Sequence, residues 1–128
     1  MQLNSPTIAI VDDHALFREA VCSFLRRKGY PVIMEAHHGK DLLNQLAVMD
    51  KLPDVCLLDI DMPVMDGYQT ASILKEKYPT IKILAMTVFN HIEKRENILM
   101  LGADGFLLKS NKPETWIETI KKVNEIQR

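Results

Sequence analysis

The chain has 128 residues, 47% of them hydrophobic and 26% charged, with a formal net charge of -1. That composition supports one domain burying roughly two-thirds of its unfolded surface, and it excludes a disordered chain or one that needs a metal or disulfide staple to fold. No apolar run approaches a membrane span, residues 1–6 lack the features of a signal peptide, and Lys and Arg are dispersed, so a cytoplasmic protein with no membrane and no direct nucleic-acid contact is expected.

Residues 1–6 read as a flexible N-terminus and 7–127 as one domain, along which short β-branched runs alternate with amphipathic helical spacing. Ile8-Ala9-Ile10-Val11 is a buried strand, and Leu16, Phe17, Ala20, Val21, Phe24 and Leu25 mark one face of a helix that Gly29 ends. The second strand, Val32 to Ala36, carries Glu35 and reads as an edge. Leu42, Leu43 and Leu46 give a short helix, and after Pro53-Asp54 the third strand is Val55 to Leu58. Beyond a loop holding Pro63 and Gly67, a third helix runs from about Gly67 to Tyr78, stopped by Pro79, and Ile81 to Met86 forms the fourth strand. His91 to Leu101 is a fourth helix ending at Gly102, and Phe106-Leu107-Leu108 is a fifth strand. Pro113 then opens a last helix with Trp116, Ile117, Ile120 and Val123 as its apolar stripe. Five strands and five helices with short right-handed crossovers predict an α/β doubly wound parallel sheet, with no length for a second domain.

Cys22 and Cys56 lie inside apolar stretches and read as reduced core thiols. His37 and His38 are the only adjacent histidines, and neighbours in a regular element point apart, so they read as loop residues and not as a metal pair.

In a doubly wound sheet, function gathers at the carboxyl ends of the strands. Here the first strand ends in Asp12-Asp13, the third in Asp59 and Asp61, the fourth in Thr87 and the fifth in Lys109. Any one of these could be a turn or helix cap, but capping does not explain why every strand except the second ends this way. Carboxylates converging in one mouth repel one another, and Mg²⁺, a hard cation that prefers oxygen ligands, resolves the conflict. With that ion, Asp12, Asp13, Asp59 and Lys109 balance to zero charge, and a phosphoryl group can enter. Asp59 is then the candidate nucleophile, Lys109 a charge partner for a phosphoryl oxygen, and Thr87 a hydroxyl donor to another.

The residues Val11-Asp12-Asp13-His14, the run Leu58-Asp59-Ile60-Asp61-Met62-Pro63-Val64-Met65-Asp66-Gly67, Met86-Thr87, and Gly105-Phe106-Leu107-Leu108-Lys109 together resemble the receiver domain of two-component response regulators. The resemblance spans about Thr7 to Gln127 and implies a flavodoxin-like receiver fold with strand order 2-1-3-4-5, whose switch point lies between the first and third strands. It also implies that Asp59 takes a phosphoryl group from the phosphohistidine of a sensor kinase or phosphotransfer protein. Asp13 and Asp59 would bind Mg²⁺ with the main-chain carbonyl of Asp61, Asp12 would act mainly through water, and Thr87 and Phe106 would report phosphorylation. The segments at 12 to 20 and 105 to 110 look like the NarL/LuxR-type branch, whose members carry a DNA-binding helix-turn-helix. The residues after Lys109 suffice for one helix, so the receiver part of a transcriptional regulator is expected, with a free-standing regulator as the alternative. A homodimer formed on phosphorylation is a further expectation.

Two positions depart from the commoner receiver pattern. Ser110 follows Lys109 where many receivers have proline, so a trans peptide bond is expected, because a non-proline cis bond costs about 2.5–4 kcal/mol. Phe106 stands where tyrosine is frequent, and without a hydroxyl it should favour burial. By the resemblance, Asp61 and Phe89 flank the water that removes the phosphoryl group. Phe89 cannot hydrogen-bond that water and Val88 is bulky, so self-dephosphorylation should be slow.

The enzyme alternative is a haloacid-dehalogenase-like phosphatase, whose strand-then-Asp-x-Asp opening Leu57-Leu58-Asp59-Ile60-Asp61 fits. In that family, however, the acidic pair follows the Asp-x-Asp, and here Asp12-Asp13 precedes it. A nucleotide- or flavin-binding module would need a Gly- or Ser/Thr-rich turn after the first strand, where Asp12-Asp13-His14 would repel phosphate. A receiver that signals without phosphorylation is disfavoured because each expected site residue is present.

Overall fold

Strands apolar on both faces require helices on both, and the computed structural model, which describes residues 5–127, has that arrangement. In chain order the elements are β1 (Ile8–Val11), α1 (Ala15–Arg27), β2 (Val32–Ala36), α2 (Gly39–Leu46), β3 (Val55–Asp59), α3 (Gly67–Lys77), β4 (Lys82–Thr87), α4 (Ile92–Met100), β5 (Gly105–Leu108) and α5 (Pro113–Asn124). The strands pair in parallel in the order β2-β1-β3-β4-β5, as expected. Of the segment expected to be flexible, residues 1–4 lie outside the described residues, while Ser5 is half-buried and Pro6 is buried. No helix among the described residues is long and apolar enough to cross a membrane.

Strand alternation divides the core in two. Ile8 and Ile10 of β1 face Val21, Cys22 and Leu25 of α1 and Trp116, Ile120 and Val123 of α5. Ala9 and Val11 face the other way, toward Leu42 and Leu46 of α2, Leu74 of α3 and Ile98 of α4. β2 is an edge strand that exposes Ile33 and Glu35, and a register shift against Ile8 and Ala9 of β1 leaves Val32 in the α1–α5 half of the core and Met34 and Ala36 in the other half. β3 and β4 each run one residue past the apolar stretch, to Asp59 and Thr87, because main-chain pairing continues through the polar positions.

Cys22 and Cys56 are free and buried in opposite halves of the core. Burial pushes the Cys56 thiol up to about 12, and burial followed by the nearby Glu35 charge pushes Cys22 up to about 11, so both are inert thiols. His37 and His38 do lie in the loop before α2, but with a task the sequence did not announce: His38 Nδ1 accepts from the Asp41 main-chain N–H at 3.1 Å and caps the helix. No peptide bond among the described residues is cis, so Lys109–Ser110 is trans as expected.

Gly67 determines how the loop after β3 returns to the sheet. A Cβ at that position would collide with the Ile60 main chain and lie 2.7 Å from the Asp59 carbonyl oxygen. Only glycine allows α3 to start so close to the strand end, and the loop of residues 60–66 is thereby held at the mouth of the sheet.

Candidate functional site

Register alone brings the polar residues together. Val11 pairs with Leu58, so Asp12 and Asp59 are the next positions on adjacent strands. Asp59 pairs with Met86, and Thr87 with Leu108, which places Thr87 and Lys109 one step further across the same edge. Asp12, Asp59 and Thr87 are buried, whereas Asp13 and Asp61 are exposed at the rim.

The Lys109 ammonium lies between the two buried carboxylates, 2.7 Å from Asp12 Oδ2 and 3.4 Å from Asp59 Oδ2. Its backbone N–H donates to the Thr87 carbonyl at 2.8 Å, and its Nζ sits 4.7 Å from the centre of the Phe17 ring, so sheet pairing and an aromatic face together aim it. Each carboxylate is also held by a main-chain donor two residues on. Asp12 Oδ1 accepts from His14 N–H at 2.9 Å, and Asp59 Oδ1 accepts from Asp61 N–H at 3.1 Å. One ammonium faces two buried carboxylates, and removal from water is felt most at Asp59. Burial, with Asp12 adding to it, pushes its carboxyl up to about 7, against the opposing pull of the Asp61 N–H and Lys109.

A cleft of about 120 Å³ opens above these groups, lined by Asp13, His14, Asp59, Asp61, Val88 and Lys109. Asp12, Asp13 and His14 each bring a potential ligand atom within 4.8 Å of the others. A mostly carboxylate donor set short of positive charge fits a hard divalent cation such as Mg²⁺. His14 was not singled out from the sequence; its place directly after the acidic pair was the available signal.

The other sequence-derived residues are placed less uniformly. Thr87 Oγ1 donates to Asp61 Oδ2 at 2.9 Å and accepts from the Phe89 N–H at 3.2 Å. Asp61 Oδ1 in turn pairs with Lys94 Nζ of α4 at 3.0 Å, a residue that sequence reasoning missed. Val88 lines the cleft, while Phe89 stacks on His91 with ring centres 5.6 Å apart and carries the Lys94 ammonium 4.8 Å from its own centre. Phe106 is half-buried and not sealed in the core as its lost hydroxyl led one to expect. It packs on the α2–α3–α4 side of the core, and Arg95 lies 5.8 Å from its ring, so the guanidinium covers part of the face that burial would have hidden.

The chain matches the family model of the response regulator receiver domain over residues 8–121. It is 35% identical over 121 residues to the transcriptional regulatory protein DegU of Brevibacillus brevis, covering 94% of this chain and 50% of that one. It is also 35% identical over 115 residues to the nitrate/nitrite response regulator protein NarL of Escherichia coli strain K12, covering 89% of this chain and 52% of the relative. The chain thus spans about half the length of these relatives. The signal receiver domain of NarL from Mycobacterium tuberculosis has the same fold, with a TM-score of 0.88 and 31% identity over 96% of this chain and 98% of that one. The chain therefore belongs to the response regulator receiver domain family, with NarL- and DegU-type regulators among its relatives.

Proposed function

We infer that this chain receives a phosphoryl group on Asp59 and converts that event into a change at its α4–β5 side. The observation that carries the reading is the Lys109 ammonium, 2.7 Å from Asp12 and 3.4 Å from Asp59 at the floor of an acidic cleft. Asp59 Oδ attacks phosphorus as the bond from phosphorus to the donor breaks, and the leaving group departs with the bonding electron pair. Lys109 is placed to leave Asp59 for a new phosphoryl oxygen while keeping its closer partner, Asp12. Asp13 and Asp59, with the Asp61 main-chain carbonyl and with Asp12 acting mainly through water, are the groups that would hold Mg²⁺. When bound, that ion supplies the positive charge the carboxylates lack and offsets their repulsion of an incoming phosphate.

The donor is the phosphohistidine of a sensor kinase or phosphotransfer protein, and the working compartment is the cytoplasm. By analogy with DegU and NarL, the output is transcriptional: this domain is the receiver part of a DNA-binding regulator, does not itself touch nucleic acid, and pairs with a second copy once phosphorylated. It carries out its own phosphorylation and dephosphorylation and turns over no separate substrate. Val88 at the cleft and Phe89 beside it offer no group to orient a water, which supports slow loss of the phosphoryl group. Thr87 and Phe106 carry the switch, the first through its hydroxyl and the second through a ring only half-buried in the resting form.

Incubation with acetyl phosphate and Mg²⁺ should add one phosphoryl group by intact mass. Its appearance in Asp59→Asn, or in wild type with excess chelator, would falsify this assignment.

A further inference from the structure

The Thr87 hydroxyl has one hydrogen to donate, and in this structure it is given to the Asp61 carboxylate at 2.9 Å. A phosphoryl oxygen on Asp59 that is to receive the same hydrogen must take it from Asp61. Asp61 is held in turn by Lys94 Nζ at 3.0 Å, and the same ammonium rests 4.8 Å from the centre of the Phe89 ring, whose main-chain N–H donates back to Thr87 Oγ1 at 3.2 Å. Thr87, Asp61, Lys94 and Phe89 therefore form a closed circuit joining the end of β4, the loop after β3 and the first turn of α4. Beyond the stack of His91 on Phe89 and the Arg95 guanidinium over Phe106, that turn has few anchors: Ile98 is the only buried residue of α4, and its N-cap, His91, makes no side-chain capping bond.

We propose that Lys94 is a positioning residue that, through Asp61, reserves the Thr87 hydroxyl in the resting protein and ties α4 to the cleft until a phosphoryl oxygen claims that hydroxyl. The proposal rests on the phosphoryl-acceptor reading of Asp59. Phosphorylation opens the circuit in two ways. It removes the hydrogen bond that Asp61 receives, and it sets a new anion near the Asp61 carboxylate, which like-charge repulsion then drives outward. Asp61 and Lys94 can leave together as a pair exposed to water, and the start of α4 is released with them. The circuit competes with phosphoryl binding, so weakening it favours the phosphorylated form. A residue that served only to hold the structure together would have the opposite effect when removed.

The test compares wild type, Lys94→Gln and Lys94→Arg in Mg²⁺ buffer. Without phosphate, amide hydrogen exchange across Ile92–Met100 should speed up about two- to fivefold in Lys94→Gln, the range of a partly exposed ion pair, and remain near wild type in Lys94→Arg. Beryllofluoride, a phosphoryl mimic, should bind Lys94→Gln more tightly than wild type by a similar factor, with Lys94→Arg again restoring the wild-type value. Unchanged exchange in Lys94→Gln overturns the latch. Faster exchange with weaker mimic binding reduces Lys94 to a structural contact and overturns it equally. If wild type binds no mimic at all, the acceptor reading of Asp59 fails instead, and the exchange comparison still decides whether Lys94 fastens α4.

Discussion

α1 and α4 reach the same acidic cleft from opposite faces of the sheet, but they are fastened by different forces. α1 buries Val21, Cys22 and Leu25, lays Phe17 beneath the Lys109 ammonium, and sends Arg18 to the Asp12 carbonyl at 2.6 Å. α4 buries Ile98 alone and meets the site through the Lys94–Asp61 pair, whose side chains keep 30% and 37% of their exposure. Buried aliphatic side chains contribute about 1.5–3 kcal/mol each, whereas a pair open to water contributes about 0–1 kcal/mol. α1 is thus part of the site's floor, and α4 is a wall that modest forces can move.

The largest expected effects come from emptying the core under each helix. Leu25→Ala should lower global stability by about 2–5 kcal/mol, because its neighbours on β1, β2 and α5 cannot close the cavity. Ile98→Ala removes a side chain that is as fully buried, but α4 can undock at low cost, so the loss is bounded by that local opening. Urea midpoints should fall clearly for Leu25→Ala and less for Ile98→Ala, which should instead show fast amide exchange confined to α4. Equal midpoint shifts with no local exchange would mean that the two helices are held alike.

A somewhat smaller effect separates the buried charges on the α1 side from the exposed pair on the α4 side. The folded protein holds the Asp59 carboxyl up at about 7, against an ordinary value of 3.8. Between those values the unfolded chain has lost a proton that the folded one keeps, so stability falls as pH rises from about 4 to about 7 and stays reduced above that. Asp59→Asn escapes this penalty. In metal-free buffer it should match wild type near pH 4 and exceed it by roughly 2–4 kcal/mol above pH 7, as read by thermal unfolding across that range. A variant no more stable than wild type at pH 8 would show that Lys109 already neutralises the site.

The same contrast explains which features the sequence made legible. The parallel sheet and the group Asp12, Asp59, Thr87 and Lys109 could be read because buried strands leave short apolar runs, and polar residues at their ends stand out, whereas the strand order came from the family resemblance. Lys94 could not, because one lysine on the exposed face of a helix looks solvated, and its pairing with Asp61 depends on how α4 lies across the sheet. Arg18 was hidden for the same reason. His38 escaped because Ser, Thr, Asp and Asn are the usual caps, while an imidazole nitrogen does the work here. Phe106 was read as a buried ring from its chemistry alone, and only the structure shows Arg95 standing over it.

The smallest expected effect tests where backbone strain sits relative to the two helices. Val64, at 75% exposure in the loop that also carries Asp61, has φ of 68°, and among the described residues it is the one non-glycine with positive φ. The Met65 N–H donates to the Pro63 carbonyl at 2.7 Å across it, a tight three-residue turn that a β-branched side chain resists. Strain of this kind costs of order 1–3 kcal/mol, while glycine adds about 0.5–1 kcal/mol of unfolded-state entropy. Val64→Gly should therefore raise stability by about 0–2.5 kcal/mol, seen as an increase in the thermal midpoint, with a lesser gain for Val64→Ala, which keeps a Cβ at positive φ. α1 has no counterpart to this strain, so the gain should leave amide exchange in α1 unchanged. A fall in the midpoint for Val64→Gly would mean that the turn is relaxed as it stands, and that the looseness of the α4 side lies in its weak contacts alone.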